Sequence, residues 1–234
     1  MYKRQPLRHG HHHEVIGVDF SADIDFIMSL NFSNKCLEAL KQKNIDGEMI
    51  RNWVKKTTDD YFNQKTNKEV MNWSDFQSIL DGEFWNYYLA REESITNINT
   101  LVINELRKDK NLKIGLVDFG PLYPLGPNNQ RWQNGVNLNS LLPLIDEIHP
   151  TFYFADLDLI KEKYDVYKKV LNNKVEMIPA MRTILPQVSN QLDLNNQLQV
   201  FNKDASGFSF YNYSLMNYEN LDWINQSLSE NGDI

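Results

Sequence analysis

The chain lacks several features that would assign it to a class at once. Its 234 residues include one cysteine, Cys36, so an internal disulfide and a zinc site built on cysteines are excluded. No apolar run reaches the length of about 18 residues that a transmembrane helix needs. The net charge of −7 leaves no basic excess for phosphate contacts, and we therefore expect no nucleic-acid partner. Cys36 itself fits a nucleophile or, more commonly, a half-buried structural thiol.

The N-terminal residues carry no apolar segment of the kind found in a secretory signal. We interpret residues 1–14 as disordered or artefactual, and we expect the true N-terminus to be absent. The cluster His9-Gly-His-His-His13 lies in this part of the chain. Imidazoles bind metals, but a metal site needs ligands that surrounding contacts hold in place, so an adventitious histidine run is the favoured interpretation.

Strand-like and helix-like segments alternate along most of the chain. Strand, helix and strand recur at about 30–40 residues per unit, which indicates a parallel sheet. From Asn34 to about residue 110 the apolar residues keep helical spacing, which is too long for a simple crossover. We therefore predict a helical insertion at about 34–82. The predicted strands are residues 15–27, 112–118, 150–154, 175–183 and 205–213.

The segment 205–213, Ala-Ser-Gly-Phe-Ser-Phe-Tyr-Asn-Tyr, is the most informative of these strands. Apolar and polar residues alternate from Phe208 to Asn212, and a helix with acidic residues in its first turns follows from Asn217. A strand that ends in Tyr211-Asn212-Tyr213 presents flat apolar rings and hydroxyls, which suit a sugar. Two tyrosines packed in a core are the equally favoured alternative.

Three aspartates lie at or just beyond the ends of predicted strands: Asp25, Asp118 and Asp156. In an unbroken strand Asp25 shares a face with Asp19 and Asp23, and carboxylates on a buried face are costly unless they pair or line a site. A structural role for each aspartate stays equally open. Trp132 lies in a loop rich in Gly, Pro and Asn, where it is a stacking platform or packs under its own loop.

Six motifs lie along most of residues 15–228: Gly17-Val-Asp19 through Ile24-Asp-Phe-Ile27, Cys36-Leu-Glu-Ala-Leu40, Phe84-Trp85 through Arg91-Glu-Glu-Ser-Ile-Thr96, Lys113-Ile-Gly-Leu-Val-Asp118, Ile148-His-Pro-Thr-Phe-Tyr153 and Gly207-Phe-Ser-Phe-Tyr-Asn-Tyr213. Together they resemble the later part of a (β/α)8 (TIM) barrel from the glycoside-hydrolase-like superfamily, and they are most similar to bacterial glycosyl hydrolases. The last motif is the most specific.

Two departures qualify the resemblance. Asp25 is followed by Phe-Ile-Met-Ser, where the relatives have Ile-Arg-Tyr, and strands one to three of the barrel are absent. The expected fold class is therefore α/β, a partial TIM barrel of about five parallel strands with a helical insertion after the first. Residues 15–234 would form its C-terminal part, and the missing N-terminal half of the same barrel would be its partner.

The resemblance implies a glycoside hydrolase that acts on an unidentified poly- or oligosaccharide, without metal or cofactor, in a secreted or periplasmic location. Working residues of such barrels lie at the C-terminal strand ends. Asp25, Asp118 and Asp156 would be the catalytic carboxylates. Asp25 and Asp118 would suit the retaining separation of about 5 Å, and Asp25 and Asp156 the inverting one of roughly 6.5–9.5 Å. The substrate-binding residues would be Arg182, Tyr211, Tyr213, Tyr153, Trp132 and Asn212.

Two alternatives remain. Arg182 and Thr183 end the strand where many retaining relatives carry a nucleophilic glutamate, which favours a non-catalytic carbohydrate-binding barrel. Metal-assisted hydrolysis with His149 and the aspartates is disfavoured, because His149 is expected at the start of its strand, away from the strand ends where such sites lie.

Overall fold

A computed structural model describes residues 22–23, 30–65, 69–71, 77–118, 136–172, 174–201 and 205–230. These residues belong to two compact units. The first contains the described residues up to Asn99 together with Val136 and Asn137, and the second contains residues 100–118 and those from Leu138 onward. Helices and a parallel sheet confirm the predicted α/β class.

The first unit is built from α1 (Asn34–Gln42), α2 (Gly47–Phe62) and the first part of α3 (Glu83–Leu106). The predicted helical spacing of apolar residues is confirmed within these three helices. Side chains cap the N-termini of α1 and α2. Ser33 accepts a hydrogen bond from the N–H of Cys36, and Asp46 accepts one from the N–H of Met49 at 2.9 Å. Apolar and aromatic residues from the three helices form one core, namely Leu40, Ile45, Ile50, Val54, Phe84, Tyr87 and Tyr88.

A two-stranded antiparallel sheet pairs β1 (Ala22–Asp23) with β2 (Glu69–Met71). Two expectations are corrected here. The described residues of the predicted strand 15–27 pair with β2 and not with the parallel sheet, and a short strand interrupts the region expected to be helical throughout. Three residues around Val70 are too few to leave a periodic signal, and their partner is distant in sequence.

The second unit contains the parallel sheet. Its strands follow the chain in the order predicted, and each pairing between them is parallel. The strands are β3 (Gly115–Asp118), β4 (Glu147–Phe152), β5 (Glu176–Met177), β6 (Ala180–Arg182) and β7 (Ser209–Tyr211). β5 and β6 are two pieces of one predicted strand. They are separated at Pro179, which has no N–H to donate to a neighbouring strand.

Helices α4 (Leu138–Leu141), α5 (Leu157–Leu171), α6 (Gln191–Phe201) and α7 (Tyr218–Glu230) complete this unit. Phe152 of β4 contacts Tyr164 and Tyr167 of α5 and Phe201 of α6, with ring centroids 4.9–6.3 Å apart. The even-numbered face of β4 therefore packs on these helices, since alternate residues of a strand point to opposite faces.

One predicted boundary is wrong. The strand predicted to begin at residue 150 is preceded by a short helix that ends at Leu141 and by a 3-10 turn over Leu142–Leu144 that contains Pro143. β4 then begins at Glu147, so His149 is the third residue of the strand and not its start. The fixed φ of proline and its missing N–H explain why the apolar run cannot continue as a helix.

In the part of the chain that the structure describes, no helix has the length and apolarity required to cross a bilayer.

Candidate functional site

The carboxyl ends of β4, β6 and β7 gather an aromatic and cationic group of side chains on one face of the sheet. Thr151 pairs with Ala180 and Ala180 with Ser209, so these three residues share a face. Two residues further along each strand come Tyr153, Arg182 and Tyr211, with Arg182 paired to Tyr211. We call these three residues the tyrosine wall. The tyrosine wall lies on the face of the sheet opposite to the one on which Phe152 packs against the helices.

The two tyrosine rings of the wall stack on each other. Their centroids are 5.5 Å apart and their planes differ by 23°. β4 and β7 are not neighbours, because β6 lies between them, and strands two places apart are separated by about 9.5 Å. The rings therefore lean toward each other across the strand that carries Arg182. All three residues are half-buried, and the wall combines aromatic surface with a guanidinium group.

Asn212 and Tyr213 continue the chain from the wall, and the peptide bond between Tyr211 and Asn212 is cis. The Asn212 carboxamide oxygen accepts from the N–H of Ser214 at 3.2 Å and from its hydroxyl at 2.9 Å. Asn212 thus caps a short 3-10 turn over Tyr213–Leu215. Tyr213 is 74% exposed and lies two positions after Tyr211 of the wall.

Asp118 ends β3 as predicted, but it lies on the other face of the sheet. It is 3% exposed, and its Oδ2 accepts a hydrogen bond from the Tyr167 hydroxyl on α5. Burial, together with the Asp118 charge and this hydrogen bond, raises the pKa of Tyr167 well above its ordinary value. The structure therefore does not bring Asp118 together with Arg182 and Tyr211.

Asp156 occupies the N-cap of α5. Its Oδ1 accepts from the N–H groups of Asp158 at 2.9 Å and Leu159 at 3.2 Å. These bonds satisfy donors at the helix start that have no partner within the helix. Asp156 is exposed and lies three residues beyond Tyr153, so it follows the strand end that carries the wall. Its carboxylate, however, caps the helix. Asp25 and Trp132, also predicted for the site, lie outside the described residues.

A polar network that sequence reasoning missed lies toward the amino ends of the strands. His149 Nε2 is 2.9 Å from Glu147 Oε1, and Lys113 Nζ is 3.2 Å from Glu147 Oε2 and also bonds to Glu176. The hydrogen bond from His149 is the main cause that lowers the pKa of Glu147. The sequence feature that could have predicted this network is the spacing of Glu147 and His149 by two residues, which places both side chains on one face of a strand. It was obscured because the strand was expected to begin at Pro150.

A cavity of about 680 Å³ opens at this amino end and not at the tyrosine wall. Two of the cations that line it already have partners: Arg107 binds Asp146 at 2.8 Å, and Lys113 binds Glu176. Ligands of parallel α/β sheets bind at the opposite, carboxyl ends of the strands. We therefore place the candidate site at the tyrosine wall, where the sequence predicted it.

No group of three or more histidine, cysteine, aspartate or glutamate side chains within the described ranges could hold a metal ion. Comparison with protein families, with curated proteins and with solved structures finds no match to this chain.

Proposed function

We propose that this chain binds a carbohydrate at the tyrosine wall, as part of a partial (β/α)8 barrel of the glycoside-hydrolase type. The observation that carries the proposal is the stack of Tyr153 on Tyr211 across the strand that holds Arg182. The parallel strands in chain order, joined through helices, are compatible with such a barrel. In barrels of this class the carboxyl ends of the strands hold the ligand.

The chemistry of the wall suits a sugar. A pyranose ring has apolar C–H faces that pack on aromatic rings, and its edges carry hydroxyls that need hydrogen-bond partners. The Arg182 guanidinium brings several N–H donors in a rigid plane, and the tyrosine hydroxyls both donate and accept. Arginine also pairs with carboxylates in two-point contacts, so an acidic sugar would gain a charge-assisted bond.

Hydrolysis, the activity that the resemblance implies, needs one carboxylic acid and a second carboxylate on opposite sides of the scissile bond. Asp118 is buried and bonded to Tyr167, and Asp156 caps α5. Asp25, the third predicted carboxylate, lies outside the described residues. We accordingly propose binding as the function that the described geometry supports best, with hydrolysis as an activity to be screened.

The test is a glycan array followed by calorimetry on each glycan that binds, with the same glycans screened for hydrolysis. Tyr211→Ala should weaken binding about fivefold or more, because an aromatic contact is worth roughly 1 kcal/mol beyond its area. Tyr218→Ala removes a tyrosine that is 88% exposed on α7, and should leave affinity unchanged.

Failure of the folded chain to bind any glycan, or equal binding by the Tyr211→Ala variant, would refute the proposal. If the wild-type chain cleaves a glycan, Asp25→Asn should abolish turnover while binding persists. Full turnover in that variant would exclude Asp25 as the catalytic carboxylate.

A further inference from the structure

A second cavity, of about 610 Å³, lies in the first unit between α1 and the first part of α3. Its volume is within the range of about 300–1,000 Å³ that is usual for small-molecule sites. Much of its lining is aliphatic, and Tyr87 adds an aromatic surface that stacks on Phe32 with centroids 5.5 Å apart. The aliphatic lining residues are Leu30, Ala39, Leu40, Ala90 and Ile95.

The ionised side chains in this lining are of one sign. Lys35, Lys43 and Arg91 border the cavity, and no aspartate or glutamate is among the described residues that line it. Lys43 is bonded to Glu93 at 2.8 Å, and the Glu93 side chain is 57% exposed. In a chain whose net charge is −7, an apolar cavity whose described lining includes cations and no acidic residue favours a ligand with a negative group.

The two remaining titratable groups of the lining do not oppose an anion. Burial raises the pKa of the Cys36 thiol, and burial is also the main cause that raises the pKa of Tyr87 to about 12. Both groups are therefore protonated and uncharged at neutral pH. The Tyr87 hydroxyl points to the main-chain carbonyl of Asn31, at 3.5 Å.

We propose that this cavity binds a small amphipathic carboxylate, with its hydrocarbon part against Leu40, Ala90 and Ile95 and its carboxylate toward Lys35. This site lies in a different unit from the tyrosine wall and does not depend on the carbohydrate proposal. An aliphatic lining disfavours a sugar, whose hydroxyls would lose water without gaining partners. The positively charged side chains in the lining disfavour a ligand that is a cation.

Cys36 makes the proposal directly testable, because it is the only cysteine of the chain and it lines the cavity. Alkylation by iodoacetamide at pH 8 reports on access to the cavity, and the reagent is neutral, so lysine charges do not alter its approach. Octanoate should slow alkylation in a saturable way, while octanamide, which has the same chain length and no charge, should slow it less. Circular dichroism at each concentration shows that the fold is retained.

Three variants locate the effect. Lys35→Gln should weaken protection by octanoate about two- to fivefold, the size expected for one exposed charge pair. Lys41→Gln makes the same change on the same helix but outside the lining, and should leave protection unchanged. Ala39→Phe adds a ring at an exposed position of the cavity wall and should abolish saturable protection.

The proposal is overturned if octanoate gives no saturable protection of Cys36. It is also overturned if octanamide protects as well as octanoate, or if Ala39→Phe is protected like the wild-type chain. Equal losses in Lys35→Gln and Lys41→Gln would likewise refute the assignment of the carboxylate, because the effect would then come from general charge.

Discussion

The Tyr167 hydroxyl donates a hydrogen bond to the Asp118 carboxylate, and both side chains are buried between β3 and α5. A carboxylate inside a protein is stable only when donors replace the water it has lost. The pair thus holds the end of β3 against the helix layer. The contact of Asp118 that the structure shows is therefore one that stabilises the fold.

We predict that Tyr167→Phe lowers the free energy of unfolding by about 1.5–3 kcal/mol, since a hydrogen bond to a charged group is lost inside the protein. Tyr164→Phe is the matched control. Tyr164 is also buried on α5, but its hydroxyl donates to the main-chain carbonyl of Phe201 at 3.2 Å, a neutral acceptor. Its loss should cost only about 0.5–1.5 kcal/mol. Urea unfolding of both variants measures the difference, and equal costs would contradict the charged character of the Tyr167 bond.

The same phenol predicts a loss of stability in alkali. Tyrosine in the unfolded chain loses its proton near pH 10, whereas folded Tyr167 keeps it, because its pKa is raised. Above pH 10 the folded state therefore binds more protons than the unfolded state, and the free energy of unfolding falls as pH rises, by up to about 1.4 kcal/mol per pH unit for one proton. Tyr87, whose pKa is raised to about 12, contributes with the same sign.

Urea unfolding between pH 9 and pH 11 should accordingly give a smaller pH slope for Tyr167→Phe than for the wild-type chain. Tyr218→Phe, at a side chain that is 88% exposed, controls for the substitution itself. An unchanged slope in Tyr167→Phe would show that this phenol is not the group responsible.

The order and direction of the strands in the second unit could be predicted from the sequence, because strands alternate with helices along the chain and short crossovers leave few parallel arrangements. The start of β4 could not. The apolar residues after Pro143 fit either a helix or a buried strand, and the choice depends on β3 and β5, to which Glu147 and Ile148 pair.

For the candidate site, the sequence predicted which residues lie at the ends of strands, but it did not predict which face of the sheet they occupy. Alternation shows which residues of one strand share a face, but it does not show which face meets the helices. Asp118 was therefore correctly placed at a strand end, while its contact with Tyr167, 49 positions later in the chain, left no local signal. The stack of Tyr153 on Tyr211 is of the same kind, since the two rings meet across an intervening strand.

Gly115 offers a test of the network at the amino end of the sheet. A Cβ at this position would lie 2.9 Å from Glu147 Oε1 and 3.1 Å from both Glu147 Cγ and His149 Nε2. We predict that Gly115→Ala displaces the Glu147 carboxylate from His149 at little cost in stability, because Gly115 is exposed and the nearest atoms belong to side chains that can move. The pKa of Glu147 should then rise toward its ordinary value, because its main lowering contact is weakened. An NMR titration of the Glu147 carboxyl measures the shift.

Gly207→Ala is the control for Gly115→Ala. No atom lies within 4 Å of a Cβ built at Gly207, and neither glycine has a φ in the left-handed region. Gly207→Ala should therefore be neutral or stabilise by up to about 1 kcal/mol, through the lower entropy of the unfolded chain. If the pKa of Glu147 stayed as low in Gly115→Ala as in Gly207→Ala, the close approach of Glu147 and His149 to Gly115 would be refuted.

The tyrosine wall also depends on a side chain that does not belong to it. Gln197 of α6 is 1% exposed, and its Nε2 donates to the main-chain carbonyls of Phe154 and Gln187, each at 3.0 Å. Phe154 directly follows Tyr153, so this amide holds the chain at the end of β4 against the segment after β6. Gln197 is thus a positioning residue for the wall.

We predict that Gln197→Leu costs about 1–3 kcal/mol, because two main-chain carbonyls lose a buried donor. Gln199→Leu, at an exposed position of the same helix, should stay within about 0.5 kcal/mol of the wild-type chain. NOEs between the rings of Tyr153 and Tyr211 distinguish a positioning role from an effect on stability alone. These NOEs should weaken in Gln197→Leu under conditions where the variant is fully folded. A variant that unfolds more easily yet keeps these NOEs would show that Gln197 supports the fold without orienting Tyr153.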